Sequence, residues 1–89
     1  MVRPVKKAVP AIPTSLSVEP GDTVNTVQWS AVAGATSYTL YWSDVAPLTK
    51  QSATAITGAV SPYRHTGLTN GKLLYYAVAA RNSGGESDL

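Results

Sequence analysis

The stretch GLTNGKLLYYAVAARNSGGES, Gly67 to Ser87, decides the fold class. It opens on Leu68-Thr69-Asn70-Gly71, a turn signal in which the Asn-Gly pair tolerates positive φ. The ten residues from Lys72 to Arg81 then run without Gly or Pro, as a long strand requires. Ser83-Gly84-Gly85 ends the run with a second turn, after which four residues remain. The pattern reads as the penultimate strand of a β-sandwich, with too little chain behind it for a full closing strand.

Within this run, Leu74, Tyr76, Val78 and Ala80 alternate with Leu73, Tyr75, Ala77, Ala79 and Arg81. The first set is assigned inward, because the opposite register would bury the Arg81 guanidinium without a partner. Upstream, Tyr38, Leu40 and Trp42 alternate with Thr39, Tyr41 and Ser43 in the same period of two, and are also assigned inward. Leu16 and Val18 form a first strand ending at Glu19-Pro20-Gly21-Asp22. Val27 and Trp29 face inward from a second strand, and Ala33-Gly34-Ala35 makes the corner that follows. Leu48 to Ser52 and Ala53 to Thr57 suit a short edge strand and its return. Ser61 to Thr66 predicts a further strand with Tyr63 and His65 on one face, and Leu68 closes its corner. No window of helical length carries apolar residues at helical spacing. The expected fold is all-β, an antiparallel β-sandwich. Both indoles point between its layers and leave no cavity there.

The 89 residues allow one domain with one small core, and the absence of cysteine leaves that core without disulfide support. With 44% hydrophobic and 13% charged residues the chain is too apolar for disorder, yet no run approaches the ~20 apolar residues of a membrane-spanning helix. Arg3, Lys6 and Lys7 are three of the seven basic residues, leaving four to balance the five acidic ones. A nearly neutral folded body lacks the basic stripe of a nucleic-acid binder. Residues 1–12, basic and containing Pro4 and Pro10, read as an extended linker or leader without the apolar centre of a secretion signal; residues 13–89 read as the domain.

Several linked motifs resemble the fibronectin type III domain of the bacterial kind, an immunoglobulin-like sandwich. They are Pro13 with Leu16 and Val18; Trp29; Gly34-Ala35-Thr36-Ser37-Tyr38 leading to Leu40, Tyr41 and Trp42; Ser61-Pro62-Tyr63; His65 to Gly71 followed by Tyr75-Tyr76; and Asn82 to Ser87. The resemblance implies strands A, B and E facing C′, C, F and G, with six of the seven strands present here and the last, G, missing. Two further departures carry physical expectations. Leu74 occupies the position where the family usually has a tyrosine tying down the E to F corner, and it cannot form that hydrogen bond. Asn25 stands where an aliphatic residue is usual, so it must find a partner or loosen its end of the sheet.

The chemistry-bearing residues are few. His65 is the only histidine, read as a structural residue satisfied by a backbone or hydroxyl partner. The acids Glu19, Asp22, Asp44, Glu86 and Asp88 mostly flank turns. No nucleophile elbow, phosphate loop or metal-ligand spacing occurs, so no catalytic residue, cofactor or metal is expected. The outward residues Tyr41, Leu73, Tyr75, Ala77, Ala79 and Arg81 form the candidate interaction surface. The resemblance implies a non-catalytic spacer or interaction module of a larger secreted or cell-surface bacterial protein, in contact with neighbouring domains and with no role for nucleic acid or membrane. One alternative is an accessory module binding polysaccharide through Tyr41 and Tyr75. The other is a homodimer made by strand exchange or edge pairing along an uncovered strand F.

Overall fold

The computed structural model describes residues 10–89. The described residues form seven strands and no helix: β1 (Ser17–Pro20), β2 (Asn25–Gln28), β3 (Ser37–Ser43), β4 (Thr54–Thr57), β5 (Tyr63–His65), β6 (Tyr75–Asn82) and β7 (Gly85–Glu86). They pair into a three-stranded sheet, β1-β2-β5, and a four-stranded sheet, β4-β3-β6-β7. The expected division into A, B, E and C′, C, F, G is therefore the one adopted. The expected count of six strands is corrected to seven, because Gly85 and Glu86 turn back onto Asn82 and Arg81. Most of the proposed leader, residues 1–9, lies outside the described residues; Pro10 and Pro13 are buried.

Period-two alternation sets the packing. β3 and β6 pair over their full overlap, Ser37↔Arg81 to Ser43↔Tyr75, so Leu40 and Val78 face each other across the ladder and point the same way. With Val27, Trp29 and Ala59 they form the buried core, and Tyr38, Ile56, Tyr63 and Tyr76 pack against it. Trp29 and Tyr38 meet with tilted rings 5.8 Å apart. Trp42, Leu68 and Leu74 are half-buried and Ala80 is buried.

Leu16 and Val18 depart from the expected core. Val18 pairs with fully buried Val27 and so shares its inward face, yet it is 40% exposed, and Leu16 is 38% exposed. β1 is an outer strand of its sheet, where an inward side chain has a neighbouring strand on one side only, and β7, an outer strand of the other sheet, is two residues long.

The strand bounds also differ in detail. Leu48 to Ser52 is turn rather than strand, and β6 begins at Tyr75, leaving Leu73 and Leu74 in the approach. The E to F corner that Leu74 cannot tie is held from the other side. Asn70 Oδ1 accepts from the Thr23 amide at 2.8 Å, Asn70 Nδ2 donates to Asp22 at 2.9 Å, and the Leu68 amide donates to the Thr23 carbonyl at 3.0 Å. Gly71, at φ 83°, supplies the left-handed residue this turn needs.

Leu40→Ala removes a side chain with no exposure and is expected to lower unfolding free energy by about 2–5 kcal/mol. Val18→Ala, at a 40% exposed position, should lower it by about 1 kcal/mol or less. Urea unfolding of both variants checks this; equal losses would show that Val18 is packed as tightly as Leu40.

Candidate functional site

Two polar clusters hold most of the reactive side chains, one on the outer face of the larger sheet and one between the sheets. On the outer face, Tyr41 lies between Ala77 of β6 and Ala55 of β4, small neighbours that leave space for a phenol ring close to the sheet. The ring is 7% exposed, and its hydroxyl donates to Glu86 Oε1 at 2.6 Å. Lys50 reaches the same carboxylate at 3.4 Å from the loop between β3 and β4, and donates to the Ser87 carbonyl at 2.7 Å. Arg81 approaches Glu86 from β6 at 3.6 Å. The Glu86 carboxylate thus meets one hydroxyl and two cations, which fasten β7 to the sheet. Burial, then the hydrogen bond to Glu86 and its negative charge, push the Tyr41 phenol up to about 12, against a small opposing effect of Arg81.

The second cluster bridges the layers where β2, β5 and β6 converge. Asn25 Nδ2 donates to the Tyr76 hydroxyl at 3.0 Å, and that hydroxyl lies 2.7 Å from His65 Nδ1. In the neutral tautomer with Nδ1 unprotonated, the Tyr76 hydroxyl accepts from Asn25 and donates to His65 at the same time. His65 also packs against Trp42, ring centres 4.8 Å apart, and edge-on to Tyr76. Burial lowers the His65 pKa below 6.5, and raises that of Tyr76 against the hydrogen bond from Asn25. Asn25 therefore obtains the partner its unusual position demands, and His65 the hydroxyl partner expected of it.

The candidate surface is smaller than the sequence implies. Tyr41 and Ala79 are buried, the latter with no exposure, which corrects their placement on an open strip. Lys50 and Glu86, coming from outside the two central strands, close over that face; alternation within β3 and β6 carries no sign of them. Tyr75 and Ala77 are half-buried, and Leu73 and Arg81 are exposed. Without an open Tyr41 ring, a two-tyrosine platform for stacking sugars is not formed.

A cleft of about 550 Å³ opens at the Trp29 end, lined by Tyr38, Thr36, Ala59 and Ser61. Its polar groups are largely committed to the fold. Tyr38 accepts from the Val32 amide, Thr36 donates to the Arg81 carbonyl, and Ser61 accepts from the Trp29 amide. Among the described residues no group of three His, Cys, Asp or Glu side chains is placed to hold a metal.

Comparison with solved structures gives three close likenesses. The crystal structure of FN3tt superposes with a TM-score of 0.76 at 26% identity, covering 92% of this chain and 88% of that one. A mutant of FN3tt gives 0.73 at 27%, covering 91% and 89%. A Fn3-like protein from Clostridium thermocellum gives 0.69 at 29%, covering 93% and 84%. No protein-family model matches the chain, and no curated protein does.

Both clusters predict a pH dependence. A histidine with a lowered pKa leaves the unfolded chain binding the extra proton first, so His65 makes stability fall as pH drops below 6.5. His65→Gln should flatten that acid limb in melting curves measured from neutral to acid pH. For Tyr41 the sign is reversed: its proton is held more tightly in the fold, so its contribution is intact below pH 10 and disappears as pH rises through about 12. Tyr41→Phe should cost about 1.5 kcal/mol at neutral pH and remove the highest phenol titration step. An unchanged ultraviolet titration would exclude the Tyr41–Glu86 bond.

Proposed function

Given that this chain has the fold of a bacterial fibronectin type III domain, we propose that it is a non-catalytic spacer or protein-interaction module of a larger secreted or surface bacterial protein. One observation carries the reading: the side chains most able to do chemistry are engaged in holding strands together. His65 is bound to Tyr76, and Glu86 to Tyr41, Lys50 and Arg81. A general base needs an accessible lone pair aimed at substrate, and a nucleophile needs a base beside it. Here the one histidine directs its inner nitrogen to a structural hydroxyl.

A spacer must resist deformation while exposing varied contacts. Long-range pairing throughout both sheets supplies the first property. The second is available from exposed Leu73, Val45 and Val60. The near balance of charge outside residues 1–12 supports protein neighbours in preference to nucleic acid.

The test places the chain between two fluorescent domains and measures their separation. A narrow distance distribution that broadens only when the domain melts is the expected outcome. Turnover of a glycoside or ester by the purified chain, abolished in His65→Ala, would overturn the proposal.

A further inference from the structure

Thr23 stands in the left-handed region, at φ 57°, a backbone state that a β-branched residue rarely adopts. Two hydrogen bonds across the E to F corner keep it there: its amide donates to Asn70 Oδ1 at 2.8 Å, and its carbonyl accepts from the Leu68 amide at 3.0 Å. Asn70 is fixed in turn by its other side-chain atom, Nδ2 donating to Asp22 Oδ1 at 2.9 Å. The strained residue is thus gripped from the opposite loop by an amide side chain, and Asp22, Thr23 and Asn70 are all exposed to water.

Asn70 is followed by Gly71, and a glycine has no Cβ to shield its nitrogen from the side chain before it. The closed turn nevertheless keeps the two apart. Lys72 N–H donates to the Thr69 carbonyl at 3.2 Å and Gly71 has φ 83°, while φ of Asn70 is negative, which together define a type II turn with ψ of Asn70 at about +120°. At that angle the Gly71 nitrogen points away from Asn70 Cγ, and the bond to Asp22 holds Cγ in place. Opening of the corner frees both rotations. The adjoining cleft of about 290 Å³, lined by Gly21, Thr23, Asn70 and Gly71, admits water to the same atoms.

We propose that Asn70 is a site of spontaneous self-modification, protected while the corner is closed and converted when it opens. The Gly71 nitrogen, having given its proton to water, bonds to Asn70 Cγ; the Cγ–Nδ2 bond breaks, Nδ2 takes up a proton and leaves as ammonia, and a five-membered imide closes. Water then adds to either imide carbonyl while the ring nitrogen recovers a proton, giving an aspartyl or an isoaspartyl residue. Water is consumed and ammonia released, with no oxidant or reductant involved. The product does not restore the corner. Its carboxylate can still accept from Thr23, but where Nδ2 donated to Asp22 Oδ1 one acceptor now faces another, and both carry negative charge. Lys72, close by in sequence, is already paired with Asp44 at 3.3 Å. With that grip weakened, the strain at Thr23 favours the open form, and a transient opening becomes a lasting one. The site goes beyond the spacer reading and stands without it.

The full 89-residue chain is incubated at mildly alkaline pH, folded and in urea, and each asparagine is followed by peptide mass spectrometry. Asn70 should lose its amide about tenfold more slowly in the folded chain than in urea, the factor expected of one hydrogen bond to a charged group. Asp22→Ala, which removes the acceptor for Nδ2, should bring the folded rate close to the rate in urea. Asn25 and Asn82, followed by Thr26 and Ser83, should keep their amides over the same period. Asn70→Asp, the aspartyl product, should exchange its Leu68 amide about tenfold faster than the parent chain. Equal loss of Asn70 in the folded chain and in urea, loss at Asn25 or Asn82 ahead of Asn70, or undiminished protection in a folded Asp22→Ala would each overturn the site. So would unchanged Leu68 exchange in Asn70→Asp, since the product would then leave the corner closed. The two rates in the parent chain decide the matter even where Asp22→Ala fails to fold.

Discussion

The pairing of β3 with β6 is the constraint on which the rest of this structure depends. Seven consecutive register pairs, from Ser37↔Arg81 to Ser43↔Tyr75, leave no freedom in which side chains face the other sheet. A slip of β6 by one residue would replace Val78 by Ala77 or Ala79 opposite Leu40, and would put the Arg81 guanidinium between the layers. That penalty outweighs any local preference of the flanking strands β1, β2, β4, β5 and β7, all five of which are four residues or shorter. These short elements take their positions from the central pair rather than defining it.

Polar groups then fix what apolar packing leaves adjustable. Hydrophobic contact is non-directional, and in a core this small it tolerates sliding of one sheet over the other. The bonds Asn25 to Tyr76 and Tyr76 to His65 join β2, β5 and β6 at specified atoms, so the sheets have one relative position that satisfies all three groups. No buried side-chain nitrogen or oxygen among the described residues lacks a partner, as a network of this kind requires to be stabilising. Asn70 has the same role at the corner, where it engages Thr23 and Asp22 across the loop.

The legible and illegible parts of the fold separate along this line. Alternation in Tyr38 to Ser43 and in Tyr75 to Arg81 reveals both central strands and their inward faces, because period two is a property of one segment. The membership of the two sheets followed from motif resemblance. What alternation does not encode is what arrives from elsewhere in the chain. Tyr41 and Ala79 have the phase of outward residues, and they are outward; they are nonetheless buried, because Lys50 and Glu86 approach that face from a loop and from β7. Leu16 and Val18 fail in the opposite sense. Their phase is inward and correct, but inward exposure depends on the facing layer, and two residues of β7 do not cover them.

These two discrepancies have one origin. Glu86 and Ser87 draw Lys50 toward the outer face, and the contact that buries Tyr41 also occupies the Ser87 carbonyl, a group that would otherwise receive a strand bond. The same lysine thus helps to bury Tyr41 and holds the carbonyl at which the β6–β7 ladder ends. Hydrogen-bond capacity explains why the exchange is tolerated: the Ser87 hydroxyl accepts from the Ala80 amide while the Ser87 carbonyl accepts from Lys50, so both groups keep a partner.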